Sequence, residues 1–263
     1  MTSAKPFFEQ RRERRKLLRA ALVAAAGGSL AGCDGLSHNE TVVDVLRTAE
    51  ALNRRVHRTI GRRAMAQEFA PADIAPVFRA NGTTVPAGQT YAALLRNGFA
   101  DWRLRVDGLV AQPQEFTLAQ LREMPARTQV TRHDCVEGWS CIGQWKGPRL
   151  SHVLQLARPT PDARFVVFHC LDRMDEGDDR SLYYESIDLD DAYHEQTLLA
   201  LELNGRPLPV ENGAPLRVRV ERQLGYKQPK YVHRIELVAG LGHLDQGRGG
   251  YWEDQGYAWY GGI

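Results

Sequence analysis

An α+β fold with a β-rich core is the class this sequence predicts. Strand-like runs outnumber helical ones, and they do not alternate with helices as a doubly wound sheet requires. No internal repeat organises them. The 263 residues are 43% hydrophobic and 25% charged, an ordinary globular balance for one domain or one domain with a helical extension. Net charge is +2 and much of the positive excess lies in the first twenty residues, so the body is near neutral and nucleic acid is not an expected partner.

The expected elements follow in chain order. Residues 1–33 read as an export signal: Arg11, Arg12, Arg14, Arg15, Lys16 and Arg19 precede a mild apolar run, Leu17 to Ala31, too short to span a bilayer. Arg14-Arg15-Lys16-Leu17-Leu18-Arg19 resembles a twin-arginine signal. Leu30-Ala31-Gly32-Cys33 resembles a lipobox, with Cys33 acylated and Asp34 resembling the signal for inner-membrane retention. The spacing of Val42, Val45, Leu46, Ala49, Leu52, Val56 and Ile60 predicts an amphipathic helix over Asn39–Ala66, with Thr41 and Asp44 at its cap. Residues 34–70 are thus a helical extension and 71–263 the main domain. Pro71, Pro76 and Pro86 mark a loop. "WRLRVDGLV" is a strand and "TLAQLREMP" a short helix, with Thr117 and Gln120 as a capping box and Pro125 beyond it. "RTQVTRH", "FVVFHC", "YYESI", "LLALELNGRPL", "LRVRVE" and "YVHRIELV" are strands, with turns at Asn204-Gly205 and Asn212-Gly213. The Gly- and aromatic-rich C-terminus reads as irregular chain laid over the body.

The chemistry concentrates in "TRHDCVEGWSCIGQWKGPRL", Thr131 to Leu150. If Cys33 carries lipid, Cys135, Cys141 and Cys170 remain, an odd number, so at least one is unpaired or metal-bound in an oxidising compartment. Cys141 and Cys170 are candidates for a disulfide. Cys135 has three readings: a buried structural thiol, a nucleophile with His133 two residues away on the same strand face, or a thiolate to a metal whose other ligands come from a prosthetic group. The last requires a second grip. Asn212, Gly213, Arg217, and Lys227 with Lys230 in a Gly- and Pro-containing loop supply donors suited to a phosphate, with backbone N–H groups from Gln228 and Lys230.

"RHDCVEGWSCIGQWKGPRL" together with "NGAPLRVRVERQLGYKQPKYVHRIEL" resembles the molybdopterin-dependent oxidoreductases of the sulfite oxidase superfamily, and among them the catalytic subunits of periplasmic protein-methionine-sulfoxide reductases. The resemblance runs from about Phe78 to Val238. It implies a sulfite-oxidase-type fold and a Mo-molybdopterin cofactor with Cys135 as the metal's protein ligand. It implies a cofactor-binding set of Asn81 in "FRANGT", His133, Cys135, Cys170, Asn212, Arg217, Lys227, Gln228 and Lys230. Cys170 stands where the reductases carry a threonine.

The implied reaction is two-electron oxygen-atom transfer. The arginine-bearing segment that grips sulfite in sulfite oxidases is absent after Cys135, and Arg132 and His133 are the nearby substitutes. An uncharged aromatic rim near Trp139 suits reduction of an S-oxide or N-oxide, methionine sulfoxide among them, on a small molecule or a protein. Glu137 and Glu185 are candidate proton donors. Electrons would come from a membrane haem b subunit, with the chain periplasmic and held at the inner membrane through Cys33. The competing expectations are sulfite oxidation, a thiol enzyme using Cys135 and His133, and a non-catalytic lipoprotein that keeps the fold.

Overall fold

The computed structural model describes residues 39–61, 63–175, 178 and 181–263. The export signal, Cys33, and Glu176 and Asp179 of the acidic run 175–179 lie outside the described residues. Two compact units divide at Arg55/Val56. The first contains the start of helix α1 (Glu40–Gly61). Asn39, rather than Thr41, caps it: its side-chain oxygen accepts from the backbone N–H groups of Thr41 at 3.0 Å and Val42 at 3.3 Å. The helix stops at Gly61, five residues before the expected Ala66, because glycine is a poor helix residue.

The second unit is β-rich and mixed, as the class predicts. Its helices are α2 (Gln89–Arg96), α3 (Leu118–Glu123), α4 (Leu150–Ala157), α5 (Leu189–Ala192) and α6 (Tyr251–Asp254). The main sheet runs β2-β1-β11-β5-β6, from β1 (Arg103–Gly108), β2 (Gln114–Thr117), β5 (Phe165–Arg173), β6 (Leu182–Asp188) and β11 (Val232–Val238). Only β1 and β11 pair in parallel. The register sets Val106 beside Ile235 and Ile235 beside Phe168, so three fully buried side chains share one face. Leu150, Val153 and Leu154 of α4 close that core. The Thr117–Gln120 capping box forms in both directions, at 2.8 and 3.1 Å.

A second sheet runs β3-β4-β8-β9, from β3 (Ala126–Asp134), β4 (Ser140–Pro148), β8 (Glu202–Leu203) and β9 (Arg206–Pro207); β7 (Leu198–Ala200) pairs separately with β10 (Arg217–Arg219). Asn204 (φ 52°) and Gly205 (φ 73°) make the expected β8–β9 turn, where both central residues need positive φ. Trp145 packs edge-on against Phe78 in a small core of its own, with ring centroids 4.9 Å apart. The C-terminal segment is irregular apart from α6, as expected. It is tied down by Trp259 Nε1 donating to Ser186 Oγ at 2.9 Å and by Tyr184 hydroxyl donating to Asp254.

Candidate functional site

Strands β3 and β4 form a hairpin whose register closes at Asp134 opposite Ser140. The five residues between them carry the thiol. Cys135 N donates to Trp139 O at 2.9 Å, and Gly138 N to Cys135 O at 3.0 Å. Cys135 is therefore fixed at the first position of a tight turn, half-buried and unpaired. Burial pushes its thiol pKa up; a hydrogen bond at the Glu137 backbone opposes this.

The thiol lies on the wall of a cavity of about 170 Å³. Asn81, Asp172, Gln228 and Lys230 give the wall a polar part, and Glu137 also lines it. Lys230, almost fully buried, is solvated by carbonyls: its Nζ donates to Asn81 O at 2.6 Å, Glu211 O at 3.1 Å and Thr83 O. Burial, helped by the charge of Arg217, depresses its pKa to about 7. Arg217, fully buried on β10, makes two long hydrogen-bonding contacts among the described residues, to Asn212 O and Asn81 Oδ1, each at 3.4 Å. Its pKa falls to about 9, from burial first and the neighbouring Arg219 second. Arg219 is unlike it, since Glu221 pairs with it at 2.5 Å.

His133 is buried behind the turn. Arg219 Nη1 donates to its Nδ1 at 2.9 Å, which assigns the proton to Nε2. Gln228 Oε1, an acceptor 3.4 Å from the same nitrogen, does not compete. Burial, then Arg217 and Arg219, hold the imidazole pKa well below its usual value, so the ring is neutral. Its Nε2, Asn212 Nδ2 and Arg217 Nε are buried without hydrogen-bond partners among the described residues. Two poorly compensated cations and three orphaned polar nitrogens constitute a site chemically suited to a polyanion rich in acceptors.

Three of the expected residues, Lys227, Glu185 and Cys170, sit elsewhere. Lys227 does not reach the cavity wall: it is fully buried, with Nζ 2.5 Å from Glu185 Oε1 and 2.6 Å from Glu253 Oε1. Glu185 is sealed into the same cluster, and burial raises its pKa well above normal, against the pull of Lys227. Cys170 is also fully buried, in the main core, and the cavity lining passes instead through Asp172, two residues along the same strand. Burial raises Asp172 to a pKa of about 6, while Lys230 pulls it down. Cys141 and Cys170 occupy different cores and are both free, so the disulfide does not form. His133 spends its Nδ1 on Arg219 instead of activating Cys135. Arg132 pairs with Asp134 at 2.8 Å. Glu137 accepts from Trp139 Nε1 at 2.8 Å. Sequence reasoning missed Asp172, Thr83 and Tyr183; the period-two alternation of "FHCLDR" was the one signal for Asp172, which shares a face with Cys170.

Comparison with known proteins adds to this geometry. The family described as "Oxidoreductase molybdopterin binding domain" matches residues 92–241. A protein of Azospira oryzae named as a protein-methionine-sulfoxide reductase subunit, YedZ1, is 35% identical over 253 residues, covering 95% of this chain and 87% of its own. The crystal structure of the sulfane dehydrogenase SoxCD from Paracoccus pantotrophus is similar at TM-score 0.47 and 23% identity, over 53% of this chain and 39% of that one.

Proposed function

Since the chain belongs to the molybdopterin-binding oxidoreductases, we propose that it is the catalytic subunit of an exported S-oxide reductase with Cys135 as the protein ligand to molybdenum. The observation that carries this is the half-buried free thiol on a cavity wall shared with the carbonyl-solvated Lys230. A soft thiolate suits a metal that changes oxidation state. Asn81, Asn212, Arg217, Gln228 and Lys230 hold the pterin and its phosphate: the orphaned donors of Asn212 and Arg217 and the depressed cationic pKa values of Arg217 and Lys230 fit a dianion and a ring rich in acceptors. Neutral His133 contributes its Nε2–H.

When bound, the molybdenum supplies a site that takes one oxygen atom and exchanges two electrons with the substrate. Overall, a sulfoxide, two electrons and two protons give a thioether and water. Glu137, on the cavity lining and held by Trp139, is the protein group placed to pass protons to the departing oxygen. Glu185, locked to Lys227, is not used for that role. The substrate class follows the name of the Azospira relative, whose name as a subunit also supports a partner subunit; that this partner is an electron-donating membrane haem b protein is what the family resemblance implies. The twin-arginine and lipobox-like motifs support a periplasmic chain anchored at the inner membrane through Cys33, with 1–33 as the signal region, cut before an acylated Cys33, 34–70 as extension and 71–263 as catalytic domain.

Molybdenum and pterin analysis of the wild type and Cys135→Ser tests the reading. The wild type carries both and reduces methionine sulfoxide with an artificial donor; the variant loses turnover by about a thousandfold or more, as expected when an essential metal ligand goes. Wild-type protein matured through an intact export pathway without molybdenum overturns it, and turnover of sulfite alone overturns the direction.

A further inference from the structure

The cavity has a second chemistry that the cofactor does not explain. Opposite in character to its polar part, its lining includes Met174, Tyr183, Tyr226, Trp252 and Tyr257. Two of these, Trp252 and Tyr257, come from the C-terminal segment, beyond the last strand of the main sheet. Their rings lie 5.2 Å apart at 31°, and Tyr226 meets Tyr257 edge-on at 5.4 Å. A continuous aromatic surface thus faces the same cavity as Cys135.

That surface is built to hold its position. Lys227, next to Tyr226, is clamped between Glu185 of β6 and Glu253 of α6, the residue after Trp252. Tyr226 hydroxyl donates to Ala258 O at 2.7 Å, which fixes the residue after Tyr257. Tyr183 hydroxyl donates to Tyr226 O at 2.5 Å. Tyr257 N donates to Trp252 O at 2.9 Å, closing the turn that carries both rings. Aromatic faces pinned this way recognise apolar, polarisable groups such as thioether and S-methyl carbons or aryl rings, and they offer nothing to a small anion.

We propose that Trp252 and Tyr257 form the substrate-recognition wall, selecting sulfoxides with apolar substituents over small or anionic oxides. This rests on the sulfoxide-reductase reading and names its substrate class. Glu253 and Lys227 act as positioning residues for that wall.

The test compares kcat/KM for methyl phenyl sulfoxide and dimethyl sulfoxide in holoenzyme, with a reduced viologen as electron donor. Trp252→Ala is expected to lower the value for the aryl substrate about tenfold or more through KM, and that for dimethyl sulfoxide by less than about threefold, the scale on which an apolar pocket discriminates. Tyr257→Ala, at a half-exposed position, moves the ratio the same way without threatening the fold, and Trp252→Phe recovers most of it. Equal losses on both substrates, or none, in enzyme that still reduces sulfoxides overturn the recognition wall and leave the proposed function standing. Wild-type holoenzyme that reduces neither sulfoxide overturns both.

Discussion

Lys227 and Lys230 stand three residues apart in one loop and are solvated in opposite ways. Lys227 Nζ has two carboxylates, Glu185 and Glu253, at 2.5 and 2.6 Å, whereas Lys230 Nζ donates to the carbonyls of Asn81, Thr83 and Glu211. The first lysine is a charge already neutralised in the fold. The second is a charge waiting for an anion.

Substituting each by methionine separates the roles. Lys227→Met strands two buried carboxylates and is expected to cost about 3–5 kcal/mol in denaturant unfolding, unless they take up protons in compensation. Lys230→Met is expected to leave the cofactor-free fold as stable as wild type or more so, since it removes a depressed cation, yet to lower pterin content in purified protein. Loss of pterin in neither variant would contradict the assignment.

Lys230 also sets a pH dependence. The unfolded chain keeps this proton up to the ordinary lysine value of 10.5, and the folded chain only to about 7. Between those values folding releases a proton, so this group makes cofactor-free protein more stable as pH rises from about 7 towards 10.5. Binding of inorganic pyrophosphate at pH 8 should reverse this and take up close to one proton. Calorimetry in buffers of different ionisation enthalpy reads that number directly, and Lys230→Met should abolish it.

Gly225 faces the cavity with no room for a side chain: a Cβ there would fall 2.5 Å from both Cε1 and Nε2 of His133. That ring cannot retreat easily, because Arg219 holds its other side. Gly225→Ala is therefore expected to destabilise by about 1–3 kcal/mol, the usual range for overpacking. Gly240→Ala, where a Cβ meets nothing within 4 Å, is the control. Thermal unfolding of the pair gives the comparison.

Thiol accessibility offers a direct check on the three described cysteines. In cofactor-free protein with Cys33 replaced by alanine, Cys135 should alkylate under native conditions, slowly because burial raises its pKa. Cys141 and Cys170 should react only after unfolding without reductant. Mass mapping of the labelled peptides distinguishes the three.

The strands at "FVVFHC" and "YVHRIELV", the Thr117 cap and the Asn204-Gly205 turn were all readable, because each depends on neighbours a few residues away. Strand β4 and helices α2 and α4 were not expected: the apolar residues of α4 are too few to show a period, and β4 is interrupted by glycines whose value lies in close packing against other strands. The thiol in its turn and the basic, glycine-containing segment from Asn212 to Lys230 were legible as motifs.

What the sequence determined alone is the set of chemical groups: one turn-borne thiol, and a basic, glycine-punctuated segment far along the chain to answer it. The tertiary structure decided which of those groups face each other. It turned Lys227 inward to Glu185 and Glu253, buried Cys170, brought Asp172 forward, and laid Trp252 and Tyr257 along the cavity that Cys135 also lines. The physical reason is that a charge's role depends on its dielectric surroundings and counter-charge, and partners far apart in sequence, such as Lys230 and Asn81 at a separation of 149 residues, supply these only once the chain has folded.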